Sequence, residues 1–179
     1  MAKKHISYSE FRNWKICPYY RHLTYDKRIN VFEGNIYTAF GKALHEVCEK
    51  TLTHPDKFSG ISQIKDFFKE NFVTELKKLP EIEVEKAKKE NLSKWVESAE
   101  EIIPEIYVAL RDQFGDNFKI QKNVLAAEEI LMEPIGNFND NPMKFKGFID
   151  LVATDEESNK ILLIDWKTCS WGWNAKKKS

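Results

Sequence analysis

The chain has 179 residues, enough for one domain with a proper core and room for an insertion. Its 28 basic residues are balanced by 28 acidic ones, which excludes a globally basic nucleic-acid binder and leaves any such contact to a local patch. Cys17, Cys48 and Cys169 are widely spaced and form no Cys-x-x-Cys, so neither a disulfide framework nor a zinc ribbon is expected. The start Met1-Ala2-Lys3-Lys4-His5 lacks an apolar signal core, and no run approaches a membrane span. An intracellular, cytoplasmic protein in a reducing compartment, without a membrane partner, is the reading.

In chain order, Ile6-Ser7-Tyr8-Ser9-Glu10-Phe11 predicts a helix start. Ser7 is the cap, Glu10 its capping-box partner, and Ile6 and Phe11 are spaced as a hydrophobic staple. The helix should stop at Cys17-Pro18, since proline cannot continue the ladder without cost. Tyr19, Tyr20, Arg21, His22 and Tyr25 then interleave aromatic with basic groups. Two readings stand: rings that stack bases while cations touch phosphates, or a partly buried aromatic cluster edged by the stems of basic side chains.

A second helix is expected from Thr38 to about Leu52, with Phe40, Ala43, Leu44, Val47 and Thr51 as its core stripe. His45 falls at the margin of that stripe, with Glu49 one turn on. A histidine there is more often a satisfied core residue than a ligand. Gly41, one turn before it, leaves room for close approach. Ile61 to about Leu79 predicts another amphipathic helix, closed by Pro80. A longer one is expected from about Lys86 to Phe114, kinked at Pro104 and ended by Gly115. The stretch from about 60 to 116 carries no convergent chemical group and reads as a helical insertion.

Val124 to Met132 reads as a strand with Glu128 and Glu129 in its middle. Adjacent acids point to opposite faces, so one of them faces a core or a site. Gly136 to Pro142 reads as a loop. Two apolar runs follow, Lys146 to Ala153 and Ile161 to Thr168, separated by the polar turn Asp155-Glu156-Glu157-Ser158-Asn159-Lys160. Pairing them as a hairpin sets Asp150 across from Ile164 and Asp165. Asp165 and Lys167, two apart on a strand, share a face. The unbroken apolar run Ile161 to Ile164 suggests a central strand. Two carboxylates and a lysine converging in an apolar sheet call for an ion or a substrate, because unpaired buried charge is costly.

These pieces together resemble the RecB-type nuclease domains of the PD-(D/E)XK superfamily, including small phage-type exonucleases. The likeness rests on Ser7-x-Ser9 followed by Cys17-Pro18, on Gly41-x-x-x-His45-x-x-x-Glu49, on Glu128, on Gly147-Phe148-Ile149-Asp150, and on Asp165-Trp166-Lys167-Thr168. It implies an α/β, restriction-endonuclease-like fold: a mixed sheet flanked by helices, one nuclease domain over residues 1–179. It implies metal ligation by His45, Asp150, Asp165 and the Trp166 carbonyl, catalysis by Lys167 with Asp165, Asp150 and Glu128, and Mg2+ or Mn2+ as cofactor. Oxygen donors suit either ion, and the imidazole tilts the site towards Mn2+.

The implied activity is metal-dependent hydrolysis of DNA phosphodiester bonds, by an exonuclease of DNA recombination, repair or degradation. A viral member would work in the host cytoplasm. DNA contacts are assigned to Tyr19, Tyr20, Arg21, Lys176 and Lys177. Such domains carry a Gln-x-x-x-Tyr helix after the lysine strand, for which the twelve residues beyond Lys167 offer no counterpart. Two explanations stand, a truncated or fragmentary form or a helix borrowed from a second subunit or protein partner. The rival reading of function is a non-catalytic or partner-dependent nucleic-acid-binding module of the same fold. Some relatives hold an iron–sulphur cluster through one N-terminal and three C-terminal cysteines. That trio is missing, so no cluster is expected and Cys17 is read as a buried small apolar residue.

Overall fold

The computed structural model describes residues 5–29, 32–115, 119–138, 141–155 and 159–168. The chain divides into two units, one built from Met1–Glu33 with Glu128–Ile149, the other from Gly34–Ala127 with the chain from Asp150 onwards. Two long strands, β2 (Val124–Phe138) and β3 (Asn141–Asp155), pass from one unit into the other.

In the first unit a short strand, β1 (His5–Ser7), runs parallel to β3, pairing His5 with Lys144 and Ser7 with Lys146. β3 lies between β1 and β2. Helix α1 (Tyr8–Ile16) begins where expected, the Ser7 hydroxyl accepting from the Glu10 amide at 3.3 Å. It ends at Cys17, and Pro18 opens α2 (Pro18–Arg21), a first-turn position where its missing N–H costs nothing. A π-helical turn follows over His22–Asp26. Cys17 itself is exposed, contrary to the buried role expected of it.

Local spacing marks Glu10 as a capping residue, but its carboxylate is 1% exposed and takes the guanidinium of Arg21. Arg21 Nε donates to Glu10 Oε1 at 2.9 Å and Nη1 donates to Asp26 Oδ2 at 2.6 Å. Arg21 is thus committed to its own fold. Arg21→Ala is expected to cost ~2–4 kcal/mol in a urea unfolding titration, because it strips a buried carboxylate of a charged partner.

In the second unit helix α3 (Ile36–Thr53) is set by a capping box in which Asn35 and Thr38 serve each other. The expected stripe of Phe40, Ala43, Leu44, Val47 and Thr51 is buried. It packs on α4 (Ile61–Leu76) and α6 (Leu92–Phe114), the Phe40 ring lying edge-on to Phe68, Phe72 and Trp95 at 5.2–5.9 Å. The single long helix expected from Lys86 is in fact two. Helix α5 (Glu81–Lys89) starts directly after Pro80, and Asn91 in the left-handed region (φ 58°) separates it from α6. Pro104 lies within α6, and Gly115 (φ 84°) ends it.

A second apolar cluster, Leu52, Leu110 and Leu151 with Val124, Ala127, Ile164 and Trp166 around it, joins the helices to the strands of this unit. Helix α7 (Ile120–Asn123) leads into β2. Buried Asn123 fixes that entry, donating to the Thr154 carbonyl at 3.0 Å and accepting from the Lys119 amide at 2.7 Å. Strand β4 (Lys160–Ile164) is antiparallel to β3 and pairs Leu151 with Ile164, within one residue of the expected register.

Three sequence expectations about the strands need correction. Residues Gly136–Phe138 and Asn141–Pro142 extend β2 and β3 rather than forming a loop. β4 pairs with β3 alone among the described residues and leaves Ile161 and Leu163 exposed, so it is an edge rather than a central strand. It also stops at Ile164, so Asp165 and Lys167 lie beyond it. The whole is the expected α/β class: a mixed sheet, parallel at β1 and antiparallel at β4, with flanking helices in a restriction-endonuclease-like fold. No helix among the described residues is long and apolar enough to cross a membrane.

Candidate metal centre

The chemistry of the second unit gathers around Asp150. Its neighbour Leu151 is fully buried in the second cluster, which anchors β3 at this point. The Trp166 amide donates to Asp150 Oδ2 at 2.7 Å, tying the aspartate to the chain just past β4. On α3, burial of Leu44 and Val47 leaves His45 at the helix margin, 30% exposed, with Nδ1 3.8 Å from the same Oδ2. That separation is beyond a hydrogen bond. It lies within reach of one cation held by both atoms, since bonds to such donors run about 2.0–2.4 Å. The donor types, an imidazole and a carboxylate in a half-buried place, fit a divalent ion.

One turn along α3, buried Cys48 reports the local field. Burial first, and then the negative charge of Asp150, push its thiol from the usual 9.0 up to about 12. Between those values the unfolded chain loses this proton and the folded chain keeps it, so stability falls as pH rises from 9 towards 12. Cys48→Ala is expected to flatten that fall in thermal melts. Iodoacetamide at pH 8 should label exposed Cys17 and spare Cys48, as read by peptide mass.

Asp165 and Lys167 are exposed, with side chains 62% and 57% accessible, and form an ion pair with each other. Between them Trp166 packs on the second cluster, and its indole Nε1 is buried with no hydrogen-bond partner among the described residues. The close approach that Gly41 was expected to allow is made by Thr168, whose Oγ1 would lie 2.9 Å from a Cβ at position 41. Glu128 follows Ala127 on β2, at the point where the chain enters the first unit. It is half-buried, whereas Glu129 is exposed. Its φ of 50° is a left-handed value that a glutamate adopts at a cost of about 1 kcal/mol.

The structure thus brings His45, Asp150 and the Trp166 amide together and sets Asp165 and Lys167 side by side. Tyr19 and Tyr20 are exposed on α2, while Arg21, assigned to DNA, is held by Glu10 and Asp26. Lys176 and Lys177 lie outside the described residues. Sequence reading missed the Trp166 amide as the partner of Asp150. The hairpin register already placed Ile164 and Asp165 beside Asp150, one residue short of Trp166, which was the signal available.

An imidazole and a carboxylate held on one α/β scaffold, with an Asp-x-Lys segment at the end of a strand, suit metal-assisted hydrolysis. Residues 5–178 match the family profile of the PD-(D/E)XK nuclease superfamily. The chain belongs to that superfamily. No curated protein matches the sequence.

Proposed function

We propose that the chain is a divalent-metal-dependent deoxyribonuclease acting on DNA ends, an exonuclease of recombination, repair or DNA degradation in the cytoplasm. The observation that carries the reading is the facing of His45 Nδ1 and Asp150 Oδ2, 3.8 Å apart, beside the Asp165-Trp166-Lys167 segment. His45 and Asp150 offer one imidazole and one carboxylate to a metal ion, and Glu128 is proposed as a catalytic acid from the family resemblance alone. Asp165 and the Trp166 carbonyl are proposed to complete the ligand set. Mg2+ or Mn2+ bound there would supply the positive charge that activates water and offsets charge growing on the scissile phosphate. The Trp166 amide keeps Asp150 oriented. Lys167 is the proposed catalytic lysine, orienting or deprotonating the water or stabilising the pentacoordinate phosphate. Tyr19 and Tyr20 contribute DNA contacts on this reading. The choice of end-directed action rests on the resemblance to phage-type exonucleases.

End-labelled linear single- and double-stranded DNA, with a circular substrate beside them, tests the proposal in Mg2+ and Mn2+. Lys167→Ala is expected to lower the cleavage rate by about 10²–10³-fold while preserving the Mn2+ thermal shift. Full cleavage by Lys167→Ala, or cleavage without metal, would overturn the assignment. Digestion of closed circles would replace end-directed by internal cutting. An inert wild type that still shows a Mn2+ shift would favour the partner-dependent binding module.

A further inference from the structure

Helix α1 is amphipathic in the wrong sense. Its buried residue is the acid Glu10, and its large apolar side chains face solvent: Tyr8 is 63% exposed, Phe11 44% and Trp14 52%. Tyr8, Phe11, Arg12 and Lys15 stand at i, i+3, i+4 and i+7, which is one stripe of the helix. Trp14 stacks on Phe11, the ring centroids 6.3 Å apart and the planes 28° from parallel.

The charges on this helix are as unusual as the rings. Glu10 is its only acid and is taken up by Arg21. Arg12 and Lys15 are exposed, and neither has a salt bridge or side-chain hydrogen bond among the described residues. Lys78, Lys86 and Lys88, by contrast, each pair with a glutamate three residues away. The stripe therefore presents π faces alternating with uncompensated cations and no exposed carboxylate.

The geometry points to α1 as a stacking platform for single-stranded DNA, with Phe11 and Trp14 receiving bases and Arg12 and Lys15 receiving phosphates. Bases of a single strand offer free faces to such rings, whereas a duplex hides them. A purely apolar protein partner would leave both cations unpaired, so charge complementarity favours a polyanion. The inference deepens the nuclease reading by naming a substrate form, and it rests on that reading only for the choice of nucleic acid as the polyanion.

The test is fluorescence anisotropy of labelled oligothymidylate and of a labelled duplex, with the full chain in EDTA so that nothing is cut. Wild type is expected to prefer the single strand. Phe11→Ala/Trp14→Ala should weaken single-strand binding about tenfold or more and change duplex binding little. Arg12→Ala/Lys15→Ala should reduce the salt-dependence slope by about 1.4, the contribution of two phosphates on a single strand. Trp14→Phe should keep most of the affinity, and circular dichroism should be unchanged because these side chains are exposed. The platform is overturned if both double variants bind oligothymidylate within twofold of wild type, or if single-strand and duplex affinity fall equally in the aromatic variant. It is also overturned if that variant changes only the sedimentation behaviour, which would mark a protein interface. The nuclease reading fails separately: wild type that binds as expected in EDTA yet cuts nothing in Mg2+ or Mn2+ leaves the platform standing.

Discussion

Asp150→Ala is expected to reduce metal-dependent cleavage by about 10³-fold or more and to erase the Mn2+ thermal shift. Two losses add up at this position. The first is a charged ligand facing His45 Nδ1, and with it the attraction that would hold a cation. The second is the acceptor of the Trp166 amide, whose 2.7 Å hydrogen bond orients the segment leading to Lys167. Leaving that amide unsatisfied should cost about 1–2 kcal/mol of stability. Asp150→Asn separates the two effects, because its side-chain oxygen still accepts from Trp166 while the charge is gone. It should melt near the wild type and remain inactive. Removing the charge also relieves part of the pressure on the Cys48 thiol, which should become easier to alkylate at high pH. Full activity in both variants would remove Asp150 from the site.

The second large effect is on stability. Phe68→Ala is expected to destabilise the chain by ~3–5 kcal/mol in a denaturant titration. Phe68 is fully buried, stacks on Phe72 with centroids 5.5 Å apart, and meets the Phe40 ring edge-on at 5.6 Å. Its removal takes contacts from both neighbours at once and leaves a cavity that rings fixed on α3 and α4 cannot collapse to fill. Because Phe40 lies five residues before His45 on α3, the variant should also need more Mn2+ for a given thermal shift. Phe68→Leu keeps most of the volume and should lose well under half as much. A loss below 1 kcal/mol in Phe68→Ala would mean that this cluster is not the core of the unit.

The helices were legible where the pattern was local. The stripe of α3, the cap at Ser7, the stop at Cys17-Pro18 and the end at Gly115 all depend on residues within one or two turns of each other. The break at Asn91 was not legible, because Asn is tolerated inside helices and only packing of α5 and α6 decides that this one turns left-handed. The edge position of β4 was hidden for a related reason. An unbroken apolar run looks the same whether both faces are covered or one is bare.

The sequence by itself determined the family, the mixed α/β class, and the pairing of the two runs that bears on Asp150, since motif order and strand register are properties of the chain. Only the tertiary structure decided which charges are engaged. Glu10 and Arg21, eleven positions apart, neutralise each other. Asp165 turns to Lys167, and Asp150 is held by a backbone amide. Arg12 and Lys15 are left without charged partners among the described residues, beside exposed rings. Charge pairing depends on distances between groups remote in sequence and on how much water reaches them, and neither is written in local spacing.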